Sequence, residues 1–340
     1  MAQISDIGID LGTSNVLIYM KGKGIVLREP AVVAIDRDTR TAIAVGNDAY
    51  RMIGRTPGSV MAIRPLRNGS VVDFELLKVM ITYFLNKVVG KHLFSHPRAV
   101  VSVPTGVNDV EKRSITSVML DAGIKRVHLI SRPIAAALGF GLGIDDPYGT
   151  MVVDMGAGAT DIAVLASGQV AVAGYDTIGG DMFDDAIIRY LRKKDNLLIG
   201  ERTAEELKIH IGSAYPRQDE VAMDVTGRDV ISGLPKTMNV TSTEIYEALR
   251  EPVSKLIESI QSIIERTPPQ LANDVFEDGI VLTGGAASLA GPCEALYEVL
   301  HVPCGVADDP QTCIAMGCGA IVNDLSNMKH LLGENRRFFR

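Results

Sequence analysis

Two short stretches of the chain place an aspartate just ahead of a turn of small residues. The first holds Asp10, Gly12, Thr13, Ser14 and Asn15; the second holds Asp154, Gly156, Ala157, Gly158 and Ala159. Each follows a short apolar run of strand character. A small-residue turn directly after a buried strand lets backbone N–H groups approach a ligand closely, and converging N–H groups suit phosphate. Two carboxylates facing one polyphosphate would hold hydrated Mg²⁺. A single such turn carries little information, whereas a duplicated pair in matching surroundings carries much more. Competing motifs are absent from the sequence. There is no G-x-x-x-x-G-K-[ST], and GFGLG at 139–143 has the wrong spacing for a dinucleotide turn. Nor is there a G-x-S-x-G, an H-E-x-x-H or a plausible Ser/His/Asp set. The six histidines are scattered.

The elements that must position these turns also repeat. Residues 6–27 and 150–174 both read as strand–turn–strand–turn–strand. In the first half, helical spacing over 73–89 is followed by a buried strand at 98–104. Asn108 with Glu111 three residues on marks a helix start, and Gly123 its stop. In the second half, a helix spans 243–266 with Pro252 as a candidate kink. A strand at 279–285, a helix at 292–300, a strand at 303–308 and a helix at 310–325 follow. Residues 181–242 interrupt the second copy with two helical segments and a polar hairpin between Val221 and Val240. A smaller insert, 33–66, interrupts the first.

Composition bounds the function. The chain has 340 residues, enough for two lobes. Apolar residues make up 46% and charged residues 22%, which excludes a disordered chain. A net charge of −7 argues against general nucleic-acid binding, which needs clustered Lys and Arg. No apolar run reaches the ~20 residues of a membrane span, and the start reads as lacking a signal peptide. The four cysteines form no C-x-x-C pair and read as reduced core thiols of a cytoplasmic protein.

DLGTSN (10–15), VVDMGAGATD (152–161), IGGD (178–181), AEELKIHIGSAYP (204–216) and VLTGGAASL (281–289) resemble the motifs of the actin/chaperone/sugar-kinase superfamily. Within it, GIVLREPAVVAI (24–35), IGERTAEELKIHIGSAYP (199–216) and TPPQLANDVFEDGIVLTGG (267–285) are similar to the MreB family, the bacterial actins. The resemblance runs from residue 4 to about 325. It implies an α/β, actin-like ATPase fold: two duplicated RNase-H-like lobes (βββαβα), an inserted subdomain in each, and ATP–Mg²⁺ in the cleft between them. The implied division is 1–32 plus 67–146 with the 310–340 helix packing back, 33–66, 147–180 plus 243–309, and 181–242.

Carried over by position, Asp10, Gly12, Thr13, Ser14 and Asn15 form the first phosphate loop. Residues 154–159, including Gly156, Ala157, Gly158 and Ala159, form the second. Asp10 and Asp154 would hold the metal through water. Asp181 and the stretch Glu205, Glu206, Leu207 and Lys208 fall on nucleotide-side motifs. Glu205 and Lys208 match the pair that holds the adenosine; without the resemblance they would read as a surface ion pair. Gly284, Gly285, Ala286 and Ala287 match the adenine-side turn.

The catalytic positions are Asp154, Thr160 and Arg132. Here the chain departs from its family, which usually has Glu-Glu-Pro where this sequence has Ser131, Arg132 and Pro133. The second Glu helps to position the attacking water. A guanidinium cannot take a proton from water, so slow hydrolysis is expected. Arg132 could also stabilise transition-state charge, which would act in the opposite direction. Ala157 and Ala159 stand where Gly and Thr are usual.

The resemblance further implies ATP-dependent filaments, usually of paired protofilaments, on the inner face of the plasma membrane. There they would organise cell-wall synthesis and rod shape alongside transmembrane rod-shape proteins. Leu93 and Phe94, flanked by Lys91, His92 and Arg98, are the expected membrane contact, and the basic-aromatic tail at 335–340 a further candidate. The alternatives on this fold are a small-molecule kinase, for which no catalytic base is evident, and a chaperone-type ATPase.

Overall fold

The computed structural model describes residues 6–54, 58–90 and 97–332. The first half opens with β1 (Ile7–Leu11), β2 (Asn15–Met20) and β3 (Gly24–Pro30). The insert follows as β4 (Val33–Asp36), β5 (Ala42–Val45), α1 (Asn47–Met52) and β6 (Val60–Ile63). A short hairpin, β7 (Leu66–Arg67) and β8 (Ser70–Val71), leads back to the main layer. Then come α2 (Phe74–Val89), β9 (Arg98–Val103), α3 (Asp109–Asp121), β10 (Arg126–Ser131) and α4 (Arg132–Phe140). Helix α3 starts as its sequence dictates: the Asn108 side chain accepts from the Glu111 N–H, and Glu111 reaches back to the Asn108 N–H.

The second half repeats the plan. It has β11 (Thr150–Met155), β12 (Thr160–Ala166) and β13 (Gln169–Asp176). Its insert comprises α5 (Gly180–Asp195), β14 (Leu197–Leu198), α6 (Glu201–Ile211), β15 (Ala222–Asp229) and β16 (Pro235–Thr241). The lobe closes with α7 (Ser242–Arg266), α8 (Pro269–Asp278), β17 (Ile280–Thr283), α9 (Pro292–Leu300), β18 (Cys304–Val306) and α10 (Cys313–Asn323). Pro252 lies inside α7, which runs unbroken through it. Helix α8 has no counterpart in the sequence reading; its signal was Pro269 at the first helical position.

The two main sheets have one topology. Their strand orders are β3-β2-β1-β9-β10 and β13-β12-β11-β17-β18. In each, the first three strands are antiparallel, and the last two run parallel to the first. Each copy is therefore longer than βββαβα by a strand and a helix, β10–α4 and β18–α10, and the second carries α8 as well.

Small residues let α4 and α10 cross at the junction of the lobes. Gly139 lies on the Cys313 carbonyl and Gly317 on the Ala135 carbonyl, and a Cβ on either would collide with that backbone. One buried cluster takes Val100 and Ile130 from the first sheet and Val152, Ala163 and Leu165 from the second, with Ile134, Ile314 and Cys318 between them. The floor between the lobes is thus a continuous apolar core. All four cysteines are free thiols; Cys313 and Cys318 are buried, while Cys293 and Cys304 are only partly so.

Candidate functional site

The end of β1 and the end of β11 face one another across this floor. Both turns that leave them are built alike. A Cβ on Gly12 would stand 2.5 Å from the Asn15 carbonyl oxygen, and one on Gly156 2.8 Å from that of Ala159. In each turn a carbonyl three residues on folds back over the first glycine, leaving no room for a side chain. The turns also meet: a Cβ on Gly158 would lie 2.9 Å from Thr13 Oγ1. Thr13 Oγ1 in turn accepts the Gly69 N–H at 3.3 Å.

The paired aspartates are held in equivalent ways. Asp10 Oδ1 accepts from Ser102 Oγ at 3.0 Å, and Asp154 Oδ1 from Thr283 Oγ1 at 3.2 Å. Ser102 and Thr283 lie on the parallel neighbour of each aspartate's strand. Both carboxylates are buried, at 8% and 3% exposure. Burial raises the proton affinity of each. It pushes Asp154 up to about 7 against the pull of Arg132, with Asp161 and Asp10 adding to the rise.

Arg132 opens α4 and lies among these acids. Its Nη2 donates to the Leu11 carbonyl at 2.7 Å, and its Nη1 stands 3.8 Å from Asp161 Oδ2. Burial opposes its charge, but Asp10, Asp161 and Asp154 outweigh that and hold the guanidinium above its ordinary value. Asp161 also ties the lobes together, its Oδ1 accepting both the N–H and the hydroxyl of Thr105 at 2.7 Å. Burial raises its proton affinity as well.

On the insert side, Lys208 Nζ donates to the Gly180 carbonyl at 3.0 Å and pairs with Asp184 at 2.8 Å. Glu205 accepts instead from Tyr50 Oη at 2.8 Å, so the two do not pair with each other. Tyr50 belongs to α1, and this bond joins the two inserts over the mouth of the cleft. Opposite, Gly284 takes φ of 84°, a conformation that favours glycine, where a Cβ would meet the Met155 backbone. Gly285 beside it faces open space, with only Gln311 near the position of a Cβ.

One cleft gathers most of the residues singled out in the sequence. It is lined by Asp10, Gly12, Thr13, Ser14, Asn15, Arg132, Asp154, residues 156–159, Glu205, Lys208, Gly284, Gly285 and Ala286. Five others do not line it. Thr160 is fully buried and donates its hydroxyl to the Ile178 carbonyl at 2.7 Å. Leu207 and Ala287 belong to the second-lobe core. Asp181 braces the second turn through its N–H, which bonds the Ala157 carbonyl at 2.8 Å. Glu206 pairs with Arg202. Sequence reasoning missed Leu17, Gly180, Ile209, Ser288, Leu289, Pro310, Gln311 and Ile314 on the wall. Of these, Gly180, Ile209, Ser288 and Leu289 lay within the quoted motifs. Leu93, Phe94 and the 335–340 tail lie outside the described residues.

Comparison with known proteins agrees with this geometry. The family model described as MreB/Mbl protein matches residues 4–330. The cell shape-determining protein Mbl of Bacillus subtilis is 45% identical over 323 residues, covering 95% of this chain and 97% of that protein. The cell shape-determining protein MreB of Escherichia coli is 44% identical over 320 residues, covering 93% and 92%. Among solved structures, MreB5 of Spiroplasma citri bound to AMPPNP superposes with a TM-score of 0.92 at 32% identity, over 97% of this chain and 99% of that one. The MamK double helical filament, at 20% identity and a TM-score of 0.79 over 93% and 98%, shares the fold. The chain therefore belongs to the MreB/Mbl family, with an actin-like fold.

Proposed function

We propose that this chain binds ATP in the interlobe cleft and assembles into filaments that organise cell-wall synthesis and rod shape at the inner face of the plasma membrane. The observation that carries the reading is the convergence of two identically built Asp–Gly turns on one cleft. Opposite them, Gly284 and Gly285 leave a flat surface for a base. Lys208 and Glu205 reach the same space from the second insert. The relative bound to AMPPNP, a triphosphate analogue, supports the same reading, as do the cell-shape names of the Bacillus subtilis and Escherichia coli relatives.

The residues at the floor fit Mg²⁺. Asp10 and Asp154 each commit one oxygen to a hydroxyl and face the cleft. Among the described residues no three acidic, His or Cys groups close around a metal. A cation here would be held through water by these two, as Mg²⁺ commonly is. When bound, it would neutralise phosphate charge. The chain's own residues would do the rest: the turns present N–H groups and Lys208 supplies a fixed cation.

Turnover is slow in this reading. Arg132 cannot accept a proton, the Thr160 hydroxyl is committed to Ile178, and one oxygen of Asp161, Oδ1, is taken up by Thr105. Losing a positioned acid–base group typically costs about 10²–10⁴ in rate. Self-association, Leu93 and Phe94 as membrane contact, and work beside transmembrane rod-shape proteins complete the proposal.

The test combines ATP–Mg²⁺ and anionic liposomes with purified chain, reading polymer by electron microscopy and phosphate release together. Filaments on lipid with little phosphate are expected. Asp10→Ala should weaken nucleotide binding and Gly285→Trp should block it. Unchanged affinity in titrations of both variants would remove the site.

A further inference from the structure

Three buried polar atoms that have no hydrogen-bond partner among the described residues lie on residues at one place. They are Ser131 Oγ, Arg132 Nε and Asp161 Oδ2. Ser131 ends β10, Arg132 begins α4, and Asp161 comes from β12 in the other lobe. Buried polar groups are nearly always satisfied, so a cluster of exceptions marks a place that a ligand or ordered water completes. Arg132 is only 6% exposed, yet it lines the cleft beside Asp10, Thr13, Asp154 and Gly158.

The guanidinium is anchored at one corner only. Nη2 holds the Leu11 carbonyl, immediately before the first turn. The 3.8 Å from Nη1 to Asp161 Oδ2 is an ionic contact but too long for a hydrogen bond. Nε has no acceptor among the described residues. An anchored, permanently charged fork with unused donors thus stands at the meeting point of the two turns. Guanidinium geometry matches phosphate oxygens, and a pre-positioned fork loses little freedom on binding. Around it, three aspartates would repel a polyphosphate if no cation stood among them.

We propose that Arg132 is a resident phosphate-binding cation of this cleft, so that the chain holds a nucleoside triphosphate with only weak dependence on a divalent metal. The inference rests on the reading of the cleft as a nucleotide site. Arg132 performs part of the neutralisation that the metal supplies, at the spot where the carboxylates converge. A fixed charge in a buried setting is screened far less than one at the surface.

The experiment measures ATP affinity of the full chain by calorimetry, once with Mg²⁺ and once with excess chelator. Chelation is expected to weaken wild-type binding by less than about tenfold. In chelator, Arg132→Gln should lose about ten- to a hundredfold in affinity, the worth of a hydrogen bond to a charged group. Arg132→Lys, which keeps the charge, should lose less. The wild-type comparison stands even if Arg132→Gln fails to fold, which its melting curve reveals. Binding with Mg²⁺ that disappears in chelator overturns the inference, as does Arg132→Gln binding as tightly as wild type in chelator. Absence of ATP binding under both conditions overturns the nucleotide site itself.

Discussion

At the scale of single residues, buried charge sets the behaviour of the cleft. Arg132 compensates three aspartates, so Arg132→Glu would gather four buried acids with no counter-charge. Breaking a buried pair costs about 3–5 kcal/mol. The nucleotide-free variant should melt well below wild type, and Mg²⁺–ATP should restore much of the loss. Differential scanning fluorimetry with and without Mg²⁺–ATP measures both, and equal melting temperatures for the free proteins would contradict the charge balance. Asp184 has its own pH signature. Burial pushes it up to about 7, against Lys208 and with Glu205 and Asp181 adding to the rise. The folded state therefore holds this proton more tightly than the unfolded chain does. The contribution of Asp184 to stability is greatest below its ordinary value of 3.8 and declines as pH rises toward 7. Asp184→Asn should flatten the stability profile over that window; urea titrations from pH 4 to 7.5 that keep the wild-type slope would exclude this origin.

At the scale of elements, local chemistry and close approach do different work. Thr241 and Glu244 form a capping box at the start of α7, the long helix of the second lobe. That cap is written in four consecutive residues. The crossing of α4 and α10 is not: it depends on Gly139 and Gly317 lying on each other's helices. Gly317→Ala would force its methyl into the Ala135 carbonyl, and overpacking of this kind costs about 1–3 kcal/mol. A lower urea midpoint with an unchanged slope is the expected outcome. Because this crossing joins the lobes, the variant should also loosen the cleft floor, seen as faster amide exchange at Ile134 and Ile314.

For the whole molecule, the contacts that matter cross the cleft. Asp161 to Thr105 and Tyr175 Oη to the Asn68 carbonyl join the lobes near the floor. Tyr50 to Glu205 joins the inserts at the mouth. Burial, together with the Glu205 bond, pushes the Tyr50 phenol up to about 12, so it remains a donor at neutral pH. Tyr50→Phe removes one hydrogen bond to a carboxylate, worth about 1.5–3 kcal/mol. If this bond holds the mouth closed, fluorescent-nucleotide release should quicken by about tenfold or more. A stopped-flow trace with wild-type release would show that the mouth is governed elsewhere.

The sequence alone determined the duplicated plan, the two Asp–Gly turns, the capping box at Asn108 and the two inserts. Those features are encoded within a few residues of one another, by hydrophobic period, by glycine and by side chains that reach their own backbone. Helix α8 escaped because a Pro-Pro start reads as a break before it reads as a first turn. Only the tertiary structure decided the partners of the functional groups. Ser102 reaches Asp10, Thr283 reaches Asp154, Tyr50 reaches Glu205, and Arg132 reaches Leu11 from 121 positions away. Such pairs follow from strand order and lobe closure, which have no local period to read. The same holds for Thr160 and Leu207. Their residue types suited the cleft, but the side chains of a strand or helix share one repeat between two faces. Which face met the cleft and which met the core was settled only when the sheets and inserts packed.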